Sequence, residues 1–296
     1  MAVTHRQLSV FVAVVDHAGF GTAALALDLS QSSVSHSLAS LEEAVQGELV
    51  QRTTPTRPTA LGEVLLPHAR ATVSAARTFD AAAAAAASAT TAASISLSVP
   101  PTVARGLLPT LLRLWHKHLP QVEITVFEAV DDEIEQWLEN GTVDAAFMLD
   151  PDPFPQDGLH VATDAYGVVV RSDHPLAGEP SVRLADLLDD PLLVTTSGIV
   201  TALEQLHARA NLPYRPARHI RELLTLLSMV EAGIGVAILP TLAAAMLSDT
   251  LTLLPLHPVL QRRIVLSGPT SRPWHPSVVA IRQLAAMHVA ETMPAR

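Results

Sequence analysis

Between Leu29 and Glu42 the chain reads Leu-Ser-Gln-Ser-Ser-Val-Ser-His-Ser-Leu-Ala-Ser-Leu-Glu, the stretch that most restricts what it can fold into. Val34, Leu38, Leu41 and Val45 fall at steps of four, three and four, so a helix here carries one apolar face that must be packed. Ser30 is placed to cap that helix, and the alanine-rich segment from Thr22 to Leu29 has helical spacing of its own. The stretch therefore predicts helix, tight turn, helix. The outer face of the second helix carries Gln31, Ser32, Ser35, His36 and Ser40, short polar side chains able to approach base edges in a major groove. A surface helix with a serine-rich outer face has the same spacing, and spacing alone does not separate the two.

Charge complicates a nucleic-acid reading. The 296 residues carry 19 basic and 29 acidic side chains, a net charge of −10. Residues 1–70 do not reverse the sign, because Arg6, Arg52, Arg57 and Arg70 face Asp16, Asp28, Glu42, Glu43, Glu48 and Glu63. The candidate recognition helix has no Lys or Arg, so phosphate contacts fall to Arg52, Arg57, helix amides and hydroxyls, with His36 as a further donor. With 49% hydrophobic residues the chain can bury sizeable cores, yet outside its alanine tract it has no apolar run long enough for a membrane span. No secretion signal is evident at the start, so a cytoplasmic location is expected. The absence of cysteine excludes disulfides, thiolate metal sites and cysteine nucleophiles together.

Residues 53–58, Thr-Thr-Pro-Thr-Arg-Pro, are stiff and helix-breaking, as a wing between two short strands would be, with Arg57 near its tip. From Thr59 onward Leu61, Leu65, His68, Thr72, Ala75, Phe79, Ala82 and Ala86 alternate in steps of four and three, the period of a coiled-coil seam. Residues 59–90 are read as a linker helix, with Pro67 expected to bend or interrupt it. Beyond Ser94 strand and helix alternate. Ile95–Val99, Gln121–Glu128 and Asp144–Leu149 read as strands, with helices over Val103–His118 and around Asp132–Asn140 between them. A second set begins at Tyr166–Val170 and runs through Leu192–Thr196, a helix near Val200–Ala210, the helix Leu223–Ala232 and the stretch Gly233–Pro240. This alternation implies parallel sheets with right-handed crossovers.

Thr4 to Gln51 resembles the DNA-binding domain of LysR-type transcriptional regulators. The likeness rests on Leu8, Phe11, Val14 and Val15, then Ala18-Gly19-Phe20, Ala23-Ala24 and Leu27. It continues through Leu29-Ser30-Gln31, Ser33-Val34-Ser35, Leu41-Glu42 and Gly47 to Arg52, with Thr59 to Gly62 standing where the family enters its long helix. His174-Pro175-Leu176-Ala177 and Gly233-Ile-Gly-Val-Ala-Ile-Leu-Pro240 extend it to the family's effector domain, which is similar to periplasmic binding proteins. The implied fold is an all-α-dominated winged helix-turn-helix domain (1–58), a linker helix used for dimerisation (59–90) and a two-lobed α/β effector domain (91–296). Lobe I would comprise 91–163 plus 268–296, and lobe II 164–267. Candidate DNA contacts are Thr22, Gln31, Ser32, Ser33, Ser35, His36, Ser40, Arg52 and Arg57.

In such a fold a small ligand lies between the lobes at the carboxyl ends of strands. The residues at those positions are Thr102, Val130, Phe147, Met148 and the turn Thr196-Ser197-Gly198, with His219 and Arg221 adding charge. Hydroxyls, turn amides and a partly apolar lining point to a small organic acid. The resemblance further implies a homodimer formed through the linker helix, a homotetramer, an interrupted inverted-repeat operator in double-stranded DNA, and room for a contact with RNA polymerase. No cofactor, metal or membrane partner is expected. His116 and His118 lack further ligands at metal spacing, and the chain has no Gly-x-Ser-x-Gly elbow, His-Glu-x-x-His or phosphate loop, so no enzymatic role is expected. The rival reading is a cytoplasmic solute-binding protein whose N-terminal helices mediate protein contacts.

Overall fold

The structure is a computed structural model that describes residues 3–87, 93–129, 131–196 and 198–292. Helix α1 (His5–Asp16) starts where Thr4 and Gln7 cap each other, the Thr4 N–H donating to Gln7 Oε1 at 2.8 Å. After α2 (Phe20–Ala26), the Ser30 hydroxyl accepts from the Ser33 N–H and opens α3 (Gln31–Ala44), as the sequence predicts. Val34, Leu38 and Leu41 are buried against Phe11 and Val14 of α1, which satisfies the apolar face. Strands β1 (Val50–Gln51) and β2 (Arg57–Pro58) pair antiparallel, with Gln51 opposite Arg57.

Helix α4 (Ala60–Ala86) is capped by Thr59 and buries Gly62, Ala69, Val73 and Ser74. It is continuous through Pro67, contrary to a break there. A proline removes one backbone donor, and the burial of Gly62 on one side of it and Ala69 and Val73 on the other holds both halves in place. Of the expected seam, Leu65 instead packs into the DNA-binding core, whereas Leu61, His68, Thr72, Ala75, Phe79, Ala82 and Ala86 are exposed, Phe79 by 73%. Arg70 of α4 donates to both Asp16 carboxylate oxygens, which fastens the long helix to α1.

The remaining chain folds into two lobes sharing one continuous sheet of order β4-β3-β5-β12-β6-β10-β8-β9. In lobe I, β3 (Ala93–Val99) runs parallel to β4 (Val122–Glu128) and β5 (Ala145–Leu149). Helices α5 (Pro101–Gly106), α6 (Leu108–His118), α7 (Asp131–Glu139) and α10 (Pro276–Thr292) complete the lobe. The single helix expected over Val103–His118 is two, broken at Leu107. A Cβ at Gly106 would lie 2.6 Å from the Leu242 carbonyl oxygen, so the first helix ends where the other lobe presses on it. Trp115, 1% exposed, anchors this core and donates its indole N–H to the Ile281 carbonyl of α10 at 3.0 Å.

The long strand β6 (Leu159–Arg171) serves both lobes. Its first half pairs with β12 (Gln261–Ser267), and its second half pairs with β10 (Val236–Pro240) and β11 (Leu251–His257). Lobe II adds β7 (Val182–Arg183), β8 (Leu192–Thr195), β9 (Arg218–Ile220), α8 (Val200–Arg209) and α9 (Leu223–Glu231). Two expectations need correction. β12 also pairs with β5, so it belongs to lobe I, and the chain crosses back near Leu260 instead of after 267. The sheet is mixed, because β6 runs antiparallel to β10, β11 and β12, and β12 runs antiparallel to β5 as well.

Candidate functional site

Two regions carry the candidate residues. In the first, α3 presents its polar face outward, with Gln31, Ser32 and His36 exposed. Gln31, Ser35 and His36 make no side-chain hydrogen bond among the described residues, so their polar atoms are available to a partner. Ser33 and Ser32 bond the Ser30 hydroxyl at 2.8 and 2.9 Å, which places them in the cap as well as on the surface. Ser40 is turned the other way, accepting from Gln7 Nε2 at 3.0 Å and tying α3 to α1. Thr22 donates to the His17 and Gly19 carbonyls at the head of α2.

The two arginines differ. Arg52 lies over the Phe20 ring at 5.6 Å and approaches Glu42 at 3.7 Å. Glu42 also accepts from the Leu49 N–H at 2.9 Å, so it links α3, the residue before β1 and the cation. Arg57 is exposed and sits in β2, opposite Gln51, rather than at the wing tip, which is formed by residues 53–56.

The second region is a cavity of roughly 430 Å³ between the lobes. Of the predicted effector residues, Thr102, Thr196, Gly198 and Arg221 line it. Val130 and Ser197 fall outside the described residues. Phe147 and Met148 do not reach the cavity: Phe147 is buried in the lobe I core and Met148 packs toward α7 on the other face. Leu149, one pleat beyond Phe147, takes the expected place. His219 is exposed on β9 and lies outside the lining, whereas Arg221 is reached two residues later.

The structure adds residues that the sequence reading missed, chiefly Glu133, Tyr166, Glu222 and Arg262. Arg262 and Asp164 are opposite each other on β12 and β6, with side chains only 5% and 6% exposed. Arg262 Nε donates to Asp164 Oδ1 at 2.6 Å and Nη2 donates to Asp164 Oδ2 at 3.0 Å and to Thr102 Oγ1 at 2.9 Å. The Leu242 N–H, from the turn following β10, donates to the same carboxylate at 3.2 Å. Since the Thr102 oxygen accepts from Arg262, its own proton is left to donate, and Thr102 lines the cavity.

Helix termini set the remaining polarity. The helices α1, α3 and α4 are capped by the Thr4, Ser30 and Thr59 side chains, but α8 and α9 have no side-chain cap. Their starts, at Ile199 and at Glu222-Leu223, both line the cavity. First-turn amides are donors in want of acceptors, and the helix dipole adds positive potential there. At the rim Arg221 and Glu222 approach to 3.9 Å, both mostly exposed.

Comparisons with known proteins agree along the whole chain. Residues 5–63 match the family described as bacterial regulatory helix-turn-helix protein, lysR family, and residues 88–290 match the LysR substrate binding domain. The probable transcriptional regulator LrrA of Synechococcus elongatus is 32% identical, covering 80% of this chain and 81% of its own length. A probable hydrogen peroxide-inducible genes activator of Mycobacterium avium is 34% identical over 80% of this chain and 78% of its own. Full-length OxyR from Pseudomonas aeruginosa superposes with a TM-score of 0.73 at 23% identity, covering 98% of this chain and 95% of that one. Full-length CbnR bound to its target DNA gives 0.71 at 22% identity, over 97% of this chain and all of that one. These two likenesses speak to the fold, and with the family matches they lead to one conclusion: the chain belongs to the LysR family, as a DNA-binding transcriptional regulator with a C-terminal substrate-binding domain.

Proposed function

We propose that the regulator senses a small organic anion in the cavity between its lobes and reads DNA with the outer face of α3. The convergence of Thr102 with the uncapped starts of α8 and α9 on one cavity carries the ligand reading. All three supply donors, and the buried Asp164–Arg262 pair leaves no unbalanced carboxylate behind Thr102. Glu133 and Glu222 on the lining disfavour a polyanion, so a monoanion with an apolar body against Leu149, Leu223 and Leu239 fits best. Calorimetric titration with acetate, pyruvate and benzoate, each beside its neutral amide, should show binding confined to the carboxylates. Equal affinity for acids and amides would sink the reading. Thr102→Val should weaken the best carboxylate by roughly 10- to 100-fold, the worth of a hydrogen bond to a charged group.

The peroxide-linked names of some relatives do not transfer through thiol chemistry, because this chain contains no cysteine. On the DNA side, with 1–58 as the DNA-binding domain and 59–90 as the linker, two α4 helices pair through the exposed residues Leu61, His68, Thr72, Ala75, Phe79, Ala82 and Ala86, a reading supported by the exposure of Phe79 on a long helix. Two α3 helices then address an interrupted inverted repeat, and pairing of effector domains makes a homotetramer. Gln31→Ala and His36→Ala should each cost about 1–3 kcal/mol on the operator and little on random DNA. Arg57→Ala should instead weaken both alike and lower the salt slope by about one. Fluorescence anisotropy on operator and scrambled duplexes at several salt concentrations distinguishes these roles, and the reversed pattern would refute them.

A further inference from the structure

The contact between α4 and lobe I lies away from the cleft, and its groups are unusual for a packed interface. Gly141, at φ +75°, is pressed against the helix: a Cβ there would lie 2.7 Å from Ser74 Cβ and 3.1 Å from the Arg70 carbonyl oxygen. Ser74, 1% exposed, reaches Asp144 Oδ1 at 3.4 Å, and the other Asp144 oxygen accepts from the Ser96 N–H and hydroxyl at 2.9 Å each. Next to this contact is His275, 6% exposed, immediately before α10, whose residues pack against α4. The Ser277 N–H donates to His275 Nδ1 at 3.1 Å. A ring nitrogen that accepts has no proton, so this arrangement fixes the imidazole as neutral.

We propose that this junction is a proton-sensitive latch: neutral His275 caps α10 and keeps the linker helix seated on lobe I, and protonation of the ring releases that seat. Protonation removes the acceptor for Ser277 and places a positive charge at the positive end of a helix dipole, inside the packed junction. The surrounding charges have been set against each other. Arg77 and Asp80 of α4 line the same groove as His275, Arg272 precedes it in the turn, and Asp144 faces it from the start of β5. Glu139 of α7 is occupied by the Thr270 and Ser271 amides and hydroxyls. Asp144 would welcome a cation, but its oxygens already take three donors, and Arg77 opposes one.

Burial, the largest effect, pushes the His275 imidazole below the ordinary histidine value of 6.5; Asp144 pulls it up and Arg77 pushes it further down. The docked state therefore holds its proton less tightly than the released state. Its advantage is complete above pH 6.5 and is lost as the pH falls from there through the docked value. The consequence is a second input: acidity changes how the DNA-binding helices, fastened to α4 through Arg70 and Asp16, sit relative to lobe I.

Hydrogen–deuterium exchange of the full-length protein at pH 7.5 and 5.5, corrected for intrinsic exchange, tests this. Wild type should lose protection severalfold, up to about the tenfold limit that one histidine of ordinary value 6.5 allows over this interval, at pH 5.5 in the segments 70–78 and 276–280, while the β10 segment 236–240 keeps its protection. His275→Asn retains a capping oxygen without a titrating ring, and His275→Gln removes the ring by a second route; both should show equal protection at the two pH values. The proposal is overturned if wild type is equally protected at both, if the variants lose protection as wild type does, or if β10 opens together with the junction.

Discussion

Asp164→Ala should destabilise the effector domain by about 3–5 kcal/mol, because it leaves the Arg262 guanidinium buried without its counter-charge. The pair sits where β6 and β12 run side by side between the lobes, with side chains only 5% and 6% exposed and Arg262 at the wall of the cavity. The Thr102 hydroxyl remains as a neutral partner for Arg262, but it cannot replace a carboxylate that takes two guanidinium bonds. At roughly 2–4 °C per kcal/mol for a domain of this size, the thermal midpoint should drop by about 10 °C. The paired replacement Asp164→Leu with Arg262→Met should recover most of the loss, since removing both charges avoids the desolvation cost. Recovery of stability in that double variant should not restore ligand binding, because Thr102 would lose the donor that orients it. A single-variant loss below about 1 kcal/mol would show that the pair is not what holds the crossing.

Gly62→Ala should unseat the wing. A Cβ at position 62 would lie 2.0 Å from the Leu49 carbonyl oxygen and 3.2 Å from Pro58 Cβ, so β1 and β2 must move away from the start of α4. Ordinarily Gly→Ala within a helix gains up to about 1 kcal/mol. Here overpacking against backbone reverses the sign, and a net loss of about 2–3 kcal/mol in the DNA-binding domain is expected, with operator affinity falling at least tenfold. Gly21, in α2, supplies the control: a Cβ there meets nothing within 4 Å, and Gly21→Ala should stabilise by about 0.5–1 kcal/mol. Urea denaturation of both variants decides the matter, and equal signs would mean that the wing yields without cost.

The parts of the fold that the sequence made legible are those written in local patterns. Ser30 and the run Val34, Leu38, Leu41 specify α3 within one short window, and Pro55 and Pro58 bracket the wing almost unaided. The strand–helix alternation likewise gave both lobes. What escaped depends on distant partners. Asp164 and Arg262 are 98 residues apart, and only strand register sets them opposite each other. Sequence alone puts Phe147 in the cavity and omits Leu149, because it locates the carboxyl end of a strand to within a residue or two, whereas the lining changes with each pleat. Ser40 carried no mark distinguishing it from Ser35, yet Gln7 of another helix turns it inward.

On the proposed reading of α3, the scarcity of cations near it affects how such a protein finds its operator. Arg70 is committed to Asp16 and Arg52 is shared with Glu42 and Phe20, while the exposed face of α3 carries serine, glutamine and histidine. Non-specific attraction to DNA scales with the phosphates neutralised, so each chance encounter along the chromosome is brief. With Arg57 as the main exposed cation there, genomic DNA should sequester fewer molecules, and at a given operator affinity a larger share of them stays free to occupy the operator.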